Sequence, residues 1–298
     1  MSKRSQVREL MGIQRDCADP RDHCFEWNSS RRCPDSVDLR SFVLRVENQG
    51  QTNACGAFTA SSILEMLLRR DQPARAVELS AMFTWYNALA LAGDAGKDEP
   101  VSTRNLAKAL RKMGICAEKS WPFELERLRQ PPAKDAYREG KRIRIRGYQR
   151  IVKRAPAATA HGIRVALSRG FPVFLGIWRR DYLFESMKGV PLAAQPARFE
   201  RFREYKRLRK IGHFMAIVGY QPEGALVLNS WGPEHGDQGY YLMPWKVVVN
   251  ESFDIWVITG LQPQRRPRTA VAGVEPQRRG APAVLSATDP RLPSGSSR

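Results

Sequence analysis

The chain reads as an α+β fold, with helices gathered in its first half and antiparallel strands in its second. Three observations predict this. Apolar residues recur at helical spacing over three segments between Thr52 and Met113. Short runs of β character replace them after about residue 140. Glycine, proline and polar clusters punctuate both halves at element boundaries. The 298 residues are 42% hydrophobic, with seven Trp and twelve Phe, enough for one large domain or two small ones.

In the first helical segment, Ala54, Phe58, Ile63, Leu64, Met66, Leu67 and Leu68 fall mainly on one face between Thr52 and Arg70. Gly50 and Asn53 precede it as turn and cap material, which puts Cys55 in its first turn. Leu79 to Leu91 and Thr103 to Met113 read as two more helices, the last stopped by Gly114. Ile143-Arg144-Ile145-Arg146 alternates with period two, predicting a strand with one basic face. A short helix from Ala160 to Arg169 closes at Gly170. Pro172 to Trp178, His213 to Tyr220 and Phe253 to Gly260 read as strands, and Ala225–Asn229 with Gly239–Met243 as a hairpin pair.

The flanks differ in character. Residues 1–35 are polar and irregular and read as a strap packed on the domain. Cys17, Cys24 and Cys33 lie there with His23, but without the short Cys-x2-Cys pairs of a zinc site, so no metal or cofactor is expected. Residues 262–298 are rich in Pro, Gly, Ser and Arg with few large apolar residues, the composition of a disordered basic tail. The body between them spans 36–261.

The net charge of +19 favours acidic partners, although an arginine-rich composition alone accounts for it. An acidic protein fits this charge, and nucleic acid is the less favoured partner. Arg198 to Lys210 carries seven basic and two acidic residues just before His213. It reads as a solvated segment or a docking patch. With Ile143–Arg146 and the tail, it points to acidic residues near the bond acted upon. The N-terminus has no apolar h-region, and no run is long enough for a transmembrane segment. Five cysteines without a dense framework suit a reducing compartment. The expected location is cytoplasmic, or exported without a cleaved signal.

The chemistry concentrates in three segments: Asn48-Gln49-Gly50 leading to Cys55, Gly212-His213-Phe214, and Asn229-Ser230-Trp231-Gly232. A nucleophilic thiol must ionise, yet a free cysteine titrates near about 8.5. A helix N-terminus and a nearby imidazole both favour the thiolate. On its helix alone, Cys55 reads equally as a buried structural thiol. His213 opens a buried strand, with His235 the rival base. Asn229 follows His213 across one turn, so strand pairing can set its amide oxygen against the imidazole. Trp231 could shield that bond. Gln49 can direct an amide N–H, with the Cys55 backbone N–H, at a developing oxyanion.

Gln49, Cys55, His213 and Asn229, in this order and with Ser230-Trp231-Gly232 and Gly239-Tyr240 following, resemble the papain-like cysteine peptidases. The resemblance covers roughly residues 36–260, from Ser36-Val37-Asp38-Leu39-Arg40 through Leu79-Ser80 and Gly114-Ile115-Cys116 to Trp121-Pro122. It implies a two-lobed fold, a helical lobe over about 50–125 facing an antiparallel β lobe over about 140–261, with the active-site cleft between. It implies a protein or peptide substrate, Cys55 as nucleophile, His213 as general base and acid, Asn229 as orienter and Gln49 as oxyanion donor. Trp231 and Gly56 are the expected substrate-side residues. Departures are present. Thr52 stands where the family usually has a cysteine, so that disulfide is absent, and Gly56 replaces the aromatic residue that commonly follows the nucleophile. No long helical pro-segment precedes residue 36. Met11 to Phe25 looks like the short lead-in of bacterial members.

Two other classes share these features. A deamidase or transglutaminase-like enzyme would use the same groups on glutamine side chains and release ammonia. A non-catalytic basic binding protein would have no need of all four chemical roles.

Overall fold

A computed structural model describes residues 19–20, 22–179, 184, 186–200 and 211–263. Cys17, most of the basic 198–210 segment and nearly all of the 262–298 tail lie outside the described residues. Helices dominate the first half: α1 (Cys55–Asp71), α2 (Ala81–Ala92), α3 (Thr103–Lys112) and α4 (Lys134–Gly140). The second half adds α5 (Pro156–Ser168), α6 (Gln195–Glu200) and α7 (Trp245–Glu251) around a sheet. Its strands are β1 (Val37–Asp38), β2 (Tyr148–Arg150), β3 (Val173–Arg179), β4 (Ile211–Gln221), β5 (Gly224–Leu228), β6 (Tyr240–Pro244) and β7 (Ser252–Ile258). They run in the order β2-β7-β3-β4-β5-β6, with β1 pairing to β4, and all these pairings are antiparallel. The α+β class read from the sequence is the one observed.

The expected helices form with shifted ends. The first begins at Cys55, three residues later than expected, because Asn53 does not cap it. The Asn53 backbone and amide N–H groups instead donate to Asp98 (2.9 and 3.1 Å). Ser80 caps α2 by accepting the Phe83 N–H (2.9 Å), and Ser102 caps α3 from Asn105. Pro156 starts α5 four residues earlier than the apolar periodicity shows, at the position where a missing N–H costs nothing.

The strand expected over 143–146 is corrected. Ile143 and Ile145 are buried as the alternation requires. Their backbone groups, however, go to two different neighbours rather than to one ladder. Ile145 N–H donates to the Leu110 carbonyl and Ile115 N–H to the Ile143 carbonyl, while Gln262 N–H donates to Arg144 and Arg146 N–H to Gly260. The strand of this region is β2, two residues on. Gly114 makes the close approach possible: its φ is +79°, and a Cβ there would lie 1.9 Å from the Gly140 carbonyl oxygen.

Helix α1 is the core of the first half, buried from Cys55 to Leu68. It crosses β4 at Gly56, where a Cβ would stand 2.7 Å from Leu106 Cδ1 and 3.1 Å from Phe214 Cδ2. Glu65, on the same helix, is buried and accepts the Leu79 N–H at 2.7 Å. Burial pushes its carboxyl from 4.5 up to about 8, with Glu47 and Glu78 adding to the rise and Arg45 opposing it. A folded-state value above the unfolded one means a contribution full below about pH 4.5 and lost as pH rises toward 8. Glu65→Gln, which keeps an acceptor for Leu79, is expected to flatten the decline in stability across that window. Thermal unfolding from pH 4 to 9 checks it; an unchanged slope would place the proton elsewhere.

No helix among the described residues is long and apolar enough to cross a membrane, and no group of acidic, His or Cys side chains among them could hold a metal ion. Among the described residues, Cys24, Cys33, Cys55 and Cys116 form no disulfide.

Candidate active site

Strand register assembles the base and its orienter. Ala216 pairs with Leu228 across β4 and β5. Asn229 directly follows this last pair at the end of β5, and Trp231, two residues on, bridges to Asn48. His213 Nε2 lies 2.7 Å from Asn229 Oδ1, both residues 2% exposed. The Ser230 backbone N–H donates to the same Oδ1 at 2.9 Å, so this atom is an acceptor. Nε2 of His213 therefore carries the hydrogen, and Nδ1 is left as the nitrogen able to take a proton. The Trp231 ring covers the imidazole with centroids 4.9 Å apart and planes 35° apart.

Cys55 stands at the other element of the seam, the first residue of α1, 4% exposed. The contact between Gly56 and Phe214 joins the residues that directly follow Cys55 and His213, so the helix N-terminus meets β4 beside the histidine. The first-turn N–H groups of α1 point out of the helix end, where they favour negative charge.

Gln49 is locked into the same assembly from the other side. Its backbone N–H donates to the Ser230 carbonyl (2.9 Å), and its Oε1 accepts from Ser230 Oγ (2.8 Å). One of its two amide N–H groups goes to the Thr52 carbonyl at 2.8 Å. The entry strap is stitched further by Gly232 N–H to the Glu47 carbonyl (2.8 Å) and a bridge between Asn48 and Trp231.

Ser230 is the member that sequence reasoning missed. Its backbone N–H fixes the amide of Asn229 while its hydroxyl and carbonyl fix Gln49. The only signal available was its place between Asn229 and Trp231. At Gly56, expected on the substrate side, a Cβ would face Leu106 and Phe214 in the interior. His235 is not the orienter's partner. Its Nδ1 lies 2.9 Å from the Trp231 carbonyl oxygen and 3.6 Å from Glu234, and its ring meets the indole edge-on. His161 lies against the Asn28 carbonyl, and His23 is exposed on the N-terminal strap.

A buried acceptor-fixed imidazole, a thiol at a helix N-terminus and a tethered amide form a set for acyl chemistry. The chain is similar to an uncharacterised peptidase C1-like protein of Acanthamoeba polyphaga mimivirus, 26% identical over 234 residues that cover 74% of this chain and 73% of the viral protein. It is 25% identical over 264 residues to cathepsin K of Gallus gallus, covering 82% and 69% of the two chains. Its fold resembles xylellain, a cysteine protease from Xylella fastidiosa, with TM-score 0.72 at 23% identity over 85% of this chain and 97% of xylellain. The model of the papain family cysteine proteases matches residues 33–252, most of the chain. This chain therefore belongs to the papain family of cysteine proteases and is a peptidase with the α+β fold of that family.

Proposed function

We propose that residues 36–261 hydrolyse peptide bonds through a thioester on Cys55. The observation that supports this best is the buried 2.7 Å contact of His213 Nε2 with Asn229 Oδ1, which leaves Nδ1 for the thiol proton. The Cys55 thiolate attacks the peptide carbonyl carbon. Its oxygen becomes an anion facing the second amide N–H of Gln49 and the Cys55 backbone N–H. The imidazolium returns its proton to the leaving amine, and the C–N bond breaks. His213 then takes a proton from water, whose oxygen attacks the thioester and releases the acid and the thiol. Asn229 holds the ring in its tautomer throughout, and Trp231 keeps water from that bond.

The test is covalent labelling of the folded protein with an epoxysuccinyl thiol reagent, mapped by mass spectrometry. Cys55 alone is expected to react rapidly, and the reaction is expected to collapse in His213→Ala. Cys116 is the internal control: burial pushes its thiol up to about 12, with nearby Glu139 adding to the rise, so it should stay unlabelled at neutral pH. Labelling spread over the thiols, or indifferent to His213, would overturn the assignment. Release of ammonia from a protein substrate, rather than new amino termini, would assign the deamidase class instead.

A further inference from the structure

The cations of two separate segments meet on one face of the molecule. Helix α3 buries Leu106, Ala107, Ala109 and Leu110 and turns Lys108, Arg111 and Lys112, spaced i, i+3, i+4, to the other side. The loop after α4 carries Lys141, Arg142, Arg144 and Arg146. It is held against the last turn of α3 by Ile145 N–H to Leu110 and Ile115 N–H to Ile143 (3.4 and 3.0 Å). Arg104 aside, which pairs with Asp22, residues 103–112 and 134–146 hold nine cations and two carboxylates. Of those acids, Asp135 is paired with Arg138 at 2.8 Å, and Glu139 accepts the Ala117 N–H. Leu106 of α3 faces Gly56, whereas this surface lies about a turn further along the helix, off the catalytic seam.

Gln262, near the end of the described residues, is bonded to the same loop. Gln262 donates its backbone N–H to Arg144 and its amide to the Ile145 carbonyl (2.7 and 3.2 Å). Residues 264–298 then contain seven arginines and two acids. We propose that this face is a docking surface for a nucleic acid strand, held through its phosphates without base readout. Guanidinium forks match phosphate oxygens. Helix cations about 5–6 Å apart suit a regularly charged backbone. A lipid surface is the poorer match, since among the described residues the exposed large apolar ones, Leu91, Leu125 and Val152, all lie outside these segments.

The experiment is fluorescence anisotropy of a labelled 20-nucleotide single-stranded DNA with the full chain between 50 and 200 mM salt. With four to six phosphates engaged, affinity is expected to fall by about 10²-fold over that range. Lys108→Gln/Arg111→Gln/Lys112→Gln/Lys141→Gln is expected to bind at least about 10-fold more weakly and to reduce the salt slope by about 3, near 0.7 for each phosphate no longer neutralised. Its Cys55 labelling rate should match the unaltered protein, which separates loss of binding from loss of fold. Unchanged affinity and slope in this variant would overturn the proposal. So would complete loss of binding on replacing only Arg265, Arg266 and Arg268. Displacement of the DNA by polyglutamate at equal charge would assign the face to an acidic protein, and tighter binding to phosphatidylserine vesicles would assign it to a membrane; either overturns the nucleic acid reading.

Discussion

Cys55→Ala is expected to leave no measurable peptide hydrolysis, and Gln49→Ala to retain some while lowering kcat/KM by about 10²–10³-fold. The two differ because they remove different things. Without the thiol no acyl intermediate can form. Without the Gln49 amide the intermediate still forms, but its oxyanion keeps only the backbone donor. An amide aimed at an oxyanion acts on charge that exists in the transition state and not in the bound substrate, so the loss should fall on kcat with KM little changed. Gln49 is also a structural tether, through Ser230 Oγ and the Thr52 carbonyl. Unfolding midpoint and Cys55 labelling rate are therefore measured beside the kinetics with a fluorogenic peptide. A loss below about 10-fold with both controls intact would remove Gln49 from the oxyanion role.

The parts of this site carried by local chemistry were legible in the sequence. Cys55 follows a turn and precedes a long apolar periodicity, and that is enough to set a thiol at a helix N-terminus. His213 and Asn229 sit on runs whose β character predicts antiparallel neighbours, and the register delivers the contact. What was not legible depends on long-range choices. Asn53 carries the signature of a cap, yet its partner is Asp98, 45 residues away. Residues 143–146 have a strand's alternation, but a helix end and the C-terminal segment divide their hydrogen bonds between them. Gly56 has no side chain to declare a role, and only the crossing of α1 over β4 shows why nothing larger fits. Three short helices, α4, α6 and α7, hold too few turns for periodicity to register. The basic face is of the same kind: its halves lie some thirty residues apart, and each alone reads as an ordinary solvated surface.

Asp22→Ala is expected to destabilise the protein by about 3 kcal/mol, the scale of breaking a mostly buried ion pair from one side. The carboxylate receives Arg104 in a fork, Nε at 3.0 Å and Nη2 at 2.7 Å, and Arg150 Nη1 at 3.3 Å. Arg150 in turn holds Asp254 at 2.8 Å. These four side chains join the N-terminal strap, α3, β2 and β7, so one carboxylate ties the helical half to the sheet. The strap is also pinned by its backbone, with Phe25 N–H to Arg150 and Arg150 N–H to His23, both 2.8 Å. Phe25 itself is buried. Removing the acid leaves Arg104 desolvated without that counter-charge, while Arg150 keeps Asp254. The cost should therefore fall near the lower end of the range for such pairs. For a domain of this size it corresponds to a fall in Tm of about 6–12 °C. Asp22→Asn, which still offers one acceptor, should lose less. Arg104→Met combined with Asp22→Ala should cost less than the sum of the two, because both substitutions remove the same ion pair. Additive losses, or a fall below about 1 kcal/mol in Asp22→Ala, would mean that the strap is held by Phe25 and its backbone bonds rather than by charge.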